Sequence, residues 1–356
     1  MTIQKLPTST IDVSSFTSDD DGKKLAVDAN NALALIAVDS PFFDLPKFTF
    51  TGSVAGYTLG GKAPPTSNVI DKYPFSSDQN ATDVGDLTIA SEYYCGQSSL
   101  TDGYATGGLT NPSQASQKYP FASDENATGD TFTLSMKRYG GGGVSSQTHG
   151  YHAGGAVTPG QPASSPNSNI IDKFPFSADS PATDVGDLTY TTSEGSAGHS
   201  FDLYGYITGG SPATDTMNKF SLASDSNAID IGNLLHPSNS GTGASSGTHG
   251  YHAGGDHYPQ PDPARSSTSI HKFSFTSDGD AVDGGELSQK LSFVGGGSSS
   301  TTHGYTAGGR AMYPTAYHDD IQKYPFASEQ TATDIGELTQ VRQNVASNQS
   351  GITPIA

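Results

Sequence analysis

The residues best placed to do chemistry recur in blocks along the chain. Asp78, Asn80, Thr82 and Asp86 occupy positions 1, 3, 5 and 9 of a short polar stretch, a spacing that offers oxygens to calcium, which takes six to eight. The equivalent stretches break that set. Pro181 stands at position 3 of the third, and Ile229 and Val282 stand at position 5 of the fourth and fifth. Asp and Asn are therefore expected to shape turns through bonds to the backbone, and no metal is expected. His149 and His152, like His249 and His252, lie three residues apart. On a strand, side chains alternate between faces, so one strand cannot chelate with both members of such a pair. His303 repeats the first position, but Ala55, Asp102 and Tyr204 hold it elsewhere; no histidine ring is expected, and structural hydrogen bonding is the assigned role. Cys95 has no nucleophile context and reads as a structural or surface thiol. Carboxylates abound, yet no pair stands out for the two-carboxylate chemistry of a glycosidase. The 17 Lys and Arg residues are mostly one repeated lysine and form no arginine cluster. No catalytic residue and no cofactor is expected, and the chain reads as a non-enzyme.

The elements that must position these residues come from an internal repeat. A Gly-Tyr pair followed two residues later by Gly-Gly occurs six times, with its tyrosine at Tyr57, Tyr104, Tyr151, Tyr206, Tyr251 and Tyr305. The spacings are 47, 47, 55, 45 and 54 residues, the size of a propeller blade. A Lys-aromatic-x-apolar segment follows each anchor: Lys72-Tyr73-Pro74-Phe75, Lys118-Tyr119-Pro120-Phe121, Lys173-Phe174-Pro175-Phe176, Lys219-Phe220-Ser221-Leu222, Lys272-Phe273-Ser274-Phe275 and Lys323-Tyr324-Pro325-Phe326. A turn and a short segment ending in leucine come next, so each block offers several short strands. The prolines place the Lys-Tyr-Pro-Phe strand near an outer sheet edge. The stretch Glu337–Val345 has no Gly-Tyr anchor after it and is expected to supply a strand to blade one, with residues 46–61 completing that blade. The prediction is an all-β, six-bladed β-propeller (residues 46–356) closed by the C-terminal strand; five blades plus an irregular one is the alternative.

Composition narrows the partners. The apolar fraction is 33% and the formal net charge −19, with no long basic run, which argues against nucleic acid and anionic membrane surfaces. One cysteine allows no internal disulfide. The N-terminus shows no secretory apolar core and no stretch suits membrane insertion, so synthesis in a cytoplasm without a signal peptide is expected. Residues 1–45 lie outside the repeat, and their apolar run Leu25–Val38 reads either as an element sealing the first blade or as an attachment segment. Attachment is preferred, because a closed ring does not need the segment.

The Gly-Tyr-x-x-Gly-Gly pattern with its aromatic strand, turn and leucine-terminated strand resembles kelch repeats over residues 46–351. Kelch blades carry a tryptophan after the turn where Leu87, Leu188, Leu234, Leu287 and Leu338 stand here. Blocks such as Ile170-Ile171-Asp172-Lys173-Phe174-Pro175-Phe176, Ala182-Thr183-Asp184-Val185-Gly186-Asp187-Leu188-Thr189 and Ser145-Ser146-Gln147-Thr148-His149-Gly150-Tyr151 are similar to repeats of marine bacteriophage proteins, particularly of phages infecting cyanobacteria. That resemblance implies a virion-associated kelch-like propeller on a tail, fibre or capsid surface, joined to other virion proteins through residues 1–45. A glycan-cleaving propeller enzyme and a soluble kelch-type protein-interaction module are the alternatives. The loops after Gly-Gly differ most between blocks, and variable loops on a rigid scaffold are the usual place for recognition. His257, Tyr258, Tyr313, Tyr317 and His318 are the richest aromatic and polar residues there. They are the predicted ligand-binding residues, with host surface polysaccharide as the expected ligand.

Overall fold

A computed structural model describes residues 23–27, 33–37, 49–63, 65–110, 115–158, 166–258, 266–293, 296–312 and 314–352. The chain divides into two units, Met1–Lys47 and Phe48–Ala356. The first contains an antiparallel hairpin of Lys23–Val27 with Leu33–Ala37. The second is all-β, with six small antiparallel sheets arranged as a six-bladed propeller.

Blade 2 shows the plan. Tyr94–Ser98 is innermost, followed outward by Asp102–Gly107, Ala115–Pro120 and Thr128–Thr133. Blade 3 begins with Gly142–Ser145 and His149–Val157, blade 4 with Ala197–Phe201 and Tyr204–Thr208, and blade 5 with Thr242–Ser245 and His249–Ala253. Blade 6 begins with Gly297–Ser299 and His303–Met312. Blade 1 takes its innermost strand, Ala346–Gln349, from the far end of the chain and adds Ala55–Leu59, Val69–Pro74 and Thr82–Asp86. The C-terminal closure expected from the sequence is thus present, but its strand lies later than Glu337–Val345. Thr333–Glu337 is the outer strand of blade 6, and the residues between must cross from that edge back to the axis. Blade 1 is likewise completed by residues 55–86, not 46–61. The Lys-Tyr-Pro-Phe strand is the third of four. Pro74 pairs with Ala55 at its end, beyond the outer strand's last pairing at Lys72–Thr82, so no ladder bond to the outer strand is lost.

Each repeated residue type closes one circle of contacts. The anchor glycine makes room for the third-strand aromatic: a Cβ on Gly150 would lie 2.2 Å from the Phe174 ring. The anchor tyrosine then packs on the apolar residue of the next blade. Phe75–Tyr305, Tyr57–Phe121, Tyr104–Phe176, Tyr206–Phe275 and Tyr251–Phe326 have ring centroids 4.6–5.1 Å apart. At the remaining seam, Tyr151 donates its hydroxyl to the Leu222 carbonyl at 3.2 Å. The six tyrosines are at most 2% exposed, and such aromatic pairs add about 0.5–1.5 kcal/mol each beyond area burial.

The repeated lysine reaches the turn of the next blade. Lys72–Asp124, Lys118–Asp179, Lys173–Asp225, Lys219–Asp278 and Lys323–Asp78 lie at 2.5–3.0 Å, and Lys272–Glu329 completes the ring at 4.0 Å. Turn residue Asn80 accepts the Glu337 N–H at 3.2 Å, and Asn126 accepts that of Asp86 at 2.9 Å. Two of the four side chains that suggested calcium, Asp78 and Asn80, are therefore engaged in joining blades. A buried set does the same inside. Asp71, Gln117, Asp172, Asn218, His271 and Gln322, each just before the lysine, accept N–H groups of Thr339, Thr88, Ser135, Thr189, Leu235 and Ser288 at 2.6–3.1 Å.

Candidate functional site

The innermost strands carry Gly-x-Ser in five blades and Ser347-Asn348-Gln349 in the sixth. A Cβ on Gly198 would lie 2.0 Å from the Gly143 carbonyl oxygen, so glycine at this place lets neighbouring inner strands meet backbone to backbone around the axis. The next serine closes a circle. The N–H groups of Ser98, Ser145, Ser200 and Ser245 donate to the hydroxyl of the following blade's serine at 2.8–3.2 Å. Ser299 N–H donates to Gln349 Oε1 at 2.6 Å, and Gln349 N–H to Ser98 Oγ at 3.1 Å. The axial channel so formed is narrow. A chamber of about 60 Å³ at the serine level is lined by Phe50, whose carbonyl accepts the Gln349 side-chain amide. A chamber of about 70 Å³ at the glycine level includes Cys95 and Ser347 in its lining.

The opposite mouth has the features of a recognition site. Second strands end in Gly-Gly and first strands begin on this face, so the variable loops and the channel entrance share it. The residue entering each inner strand is left-handed: Tyr93, Gly140, Gly195, Ser240, Phe293 and Asn344 have φ of 62°, 68°, 72°, 58°, 53° and 52°. Four of these are not glycine, and non-glycine residues in this region cluster at functional sites because surrounding structure must hold them. Backbone bonds do the holding. Gly140 N–H reaches Tyr93 O (2.8 Å), Ser240 reaches Gly195 O (2.9 Å), Asn344 reaches Phe293 O (2.9 Å) and Tyr93 reaches Asn344 O (3.0 Å). They surround an entrance cavity of about 50 Å³.

The rim is asymmetric. Phe293, Asn344, Tyr93 and Tyr139 form an arc over the entries to blades 6, 1, 2 and 3, while Gly195 and Ser240 leave the other side low. The Tyr93 and Tyr139 rings are 5.8 Å apart, and the Arg310 guanidinium lies 4.4 Å from the Phe293 centroid. Glu92 is buried, bonded to Lys62 Nζ at 3.0 Å and Asn344 Nδ2 at 2.8 Å. Burial raises the Glu194 carboxyl above its ordinary range; a bond from Tyr93 opposes this and Glu92 adds to it. Burial, then the Glu194 and Glu92 charges, push the Tyr93 hydroxyl far up. The mouth therefore offers flat apolar faces beside a guanidinium and a carboxyl group, and it holds Tyr93 as a neutral phenol.

The residues predicted from the loops divide between two seams of this face. His257 stacks on His236 at 3.4 Å between blades 4 and 5, and Tyr258 N–H bonds to Pro237 O at 3.0 Å. Tyr317 and His318 stand in the blade 6 hairpin opposite Arg310 and Gly309, beside the rim, with His318 Nδ1 3.1 Å from Asp320. Tyr313 lies outside the described residues. The rim itself escaped the sequence reading. Its signal is positional: Tyr93, Gly140, Gly195 and Ser240 each stand ten residues ahead of a Gly-Tyr glycine, and only the glycines there announce a left-handed backbone.

His149, His249 and His303 bond Thr148, Thr248 and Thr302 at 2.8 Å, while His152 points inward to Thr106 at 2.9 Å, the opposite-face arrangement expected of a strand. Among the described residues no group of three or more His, Cys, Asp or Glu side chains is placed to hold a metal ion, and no helix is long and apolar enough to cross a membrane. No protein-family model matches the chain, and a search of curated proteins finds no match.

Proposed function

We propose that this propeller is a non-enzymatic binding module of a bacteriophage virion, and that its loop-bearing channel mouth recognises carbohydrate on the host surface. The observation that carries the reading is the ring of left-handed entry residues, which holds Tyr93 and Phe293 on the rim. Aromatic faces cover the apolar side of a sugar ring, while Arg310 and Glu194 supply polar contacts around its edge. Virion attachment is supported by the likeness of the repeats to those of marine phages, and residues 1–45 are assigned to binding other virion proteins. The non-enzymatic reading is favoured because Glu92 is committed to Lys62 and Asn344, leaving Glu194 without a free carboxylate partner among the described residues of the rim for two-carboxylate hydrolysis.

The test is binding of purified host surface polysaccharide by calorimetry, with Tyr93→Ala and Phe293→Ala beside the wild type, and with the sugar recovered for size analysis. Each variant should weaken binding at least tenfold, about 1.4 kcal/mol, and the polysaccharide should be returned at full length. Unchanged affinity in both variants would remove the rim from the reading, and shortened chains would replace the binder by an enzyme. Mass spectrometry of purified, nuclease-treated particles tests virion residence; absence from particles ends it.

A further inference from the structure

Five of the chain's ten histidines meet at one seam. His199 and His236 come from blade 4, His252 and His271 from blade 5. His257 lies in a short strand, Asp256–His257, that leaves blade 5 and pairs with Ser238–Asn239 of blade 4. The His236 ring lies 3.4 Å from that of His257, nearly parallel at 13°, and 4.4 Å from that of His271, which is itself 5.5 Å from His252.

The hydrogen bonds around these rings fit neutral imidazoles. His199 Nδ1 donates to the Ala244 carbonyl at 3.1 Å, so its Nε2 accepts the Thr208 hydroxyl at 3.0 Å. Thr208 Oγ1 then accepts from His252 Nδ1 at 2.9 Å, leaving His252 Nε2 to accept from Ser238 at 3.2 Å. His271 Nδ1 accepts the Leu235 N–H at 3.1 Å, which puts its proton on an Nε2 with no partner. Both nitrogens of His236 are buried without partners. A second proton on His271 would face the Leu235 N–H donor, and one on His236 would find no acceptor.

Two neighbouring carboxylates are held by backbone N–H groups. Asp283, opposite His271 on the outer strand, gives its oxygen to Gly285 N–H at 2.9 Å, and Asp230 of blade 4 gives its own to Gly232 N–H at 3.1 Å. Asp256 is buried next to His257 in the chain. Lys272 faces away toward Glu329 at 4.0 Å.

We infer that this seam is an acid-operated latch: in neutral solution the His236–His257 stack clips the blade 5 strand Asp256–His257 onto blade 4, and in mildly acidic solution protonation of the cluster releases it. This stands apart from whatever ligand the mouth binds. Burial pushes His271 down to about 3, and His199 and His236 to about 4, with neighbouring imidazoles adding to the effect at His271 and His236. Because the closed seam holds these rings neutral, closure is fully stabilised above about pH 6.5, the value of a free imidazole, and weakens as the pH falls below it. A histidine such as His236 that regains the free value on opening shifts the opening equilibrium about twenty-fold between pH 7 and pH 5.

Amide hydrogen exchange on the full chain at pH 7 and pH 5, corrected for intrinsic rates, tests the latch. Protection at Ser238, Asn239, Asp256 and His257 should fall about twenty-fold, while Ala81 and Glu337, whose N–H groups cross the blade 6–blade 1 seam, keep theirs. A chain carrying His236→Phe and His257→Phe retains stacked rings without titration and should lose most of the pH response. Equal loss of protection at both seams, or none at pH 5, would overturn the proposal. The wild-type measurement decides the matter alone if the double variant does not fold.

Discussion

Replacing Arg342 by leucine should destabilise the propeller by about 3–5 kcal/mol, and adding Asp71→Gln in the same chain should restore most of the loss. Arg342 sits where the chain returns to close the ring. Its guanidinium lies 2.5 Å from Asp71 Oδ2 and donates to the Gly60 and Val69 carbonyls at 3.0 and 2.9 Å, with both charged side chains fully buried. Removing the arginine leaves a buried carboxylate held only by the Thr339 N–H and hydroxyl, and breaking one side of a buried pair costs about that range. The repeat itself argues for the rescue. Arg138 stands at the same place relative to Asp172, 2.8 Å away, whereas blade 6 has neutral Gln322, with Leu291 at the place of the arginine, both fully buried. The double variant copies that neutral pairing and should remain about 1–2 kcal/mol short of wild type, for the two carbonyls left without donors. Urea denaturation followed by tyrosine fluorescence gives the comparison, arranged as a double-mutant cycle. A single variant that costs less than about 1 kcal/mol, or a double variant no more stable than the single, would refute the claim that the buried charge is what makes Arg342 necessary.

Two further outcomes follow from the channel. Gly198→Ala puts a methyl group 2.0 Å from the Gly143 carbonyl and should cost about 3 kcal/mol or more in the same denaturation assay; Gly247→Ala, whose Cβ meets only a Thr49 methyl at 3.4 Å, should leave stability unchanged. Cys95 is 3% exposed, burial pushes its thiol up to about 12, and its Sγ donates to the Gly140 carbonyl at 2.9 Å. A thiol reagent at pH 8 should leave it unmodified in native protein and label it fully in urea, and rapid native labelling would contradict its placement in the channel wall.

Periodicity alone determined the number of blades, the all-β class and the closure by the C-terminal strand, because each of these depends on counting a local motif. Side-chain alternation also sufficed to separate His149 from His152. The same local reading could not say what the repeated residues touch. The turn Asp78 resembled a cation ligand until its partner appeared as Lys323, 245 residues away in sequence. The acceptors before each lysine look interchangeable in the chain, yet Asp71 and Asp172 differ from Gln117, Asn218 and Gln322 because arginines arrive from another part of the sequence. Tyr93 and Phe293 become a rim, and five scattered histidines become one seam, only when the ring closes. Closure sets distant segments a few ångströms apart, and at that range backbone strain, burial and proton affinity depend on neighbours that no single stretch of sequence contains.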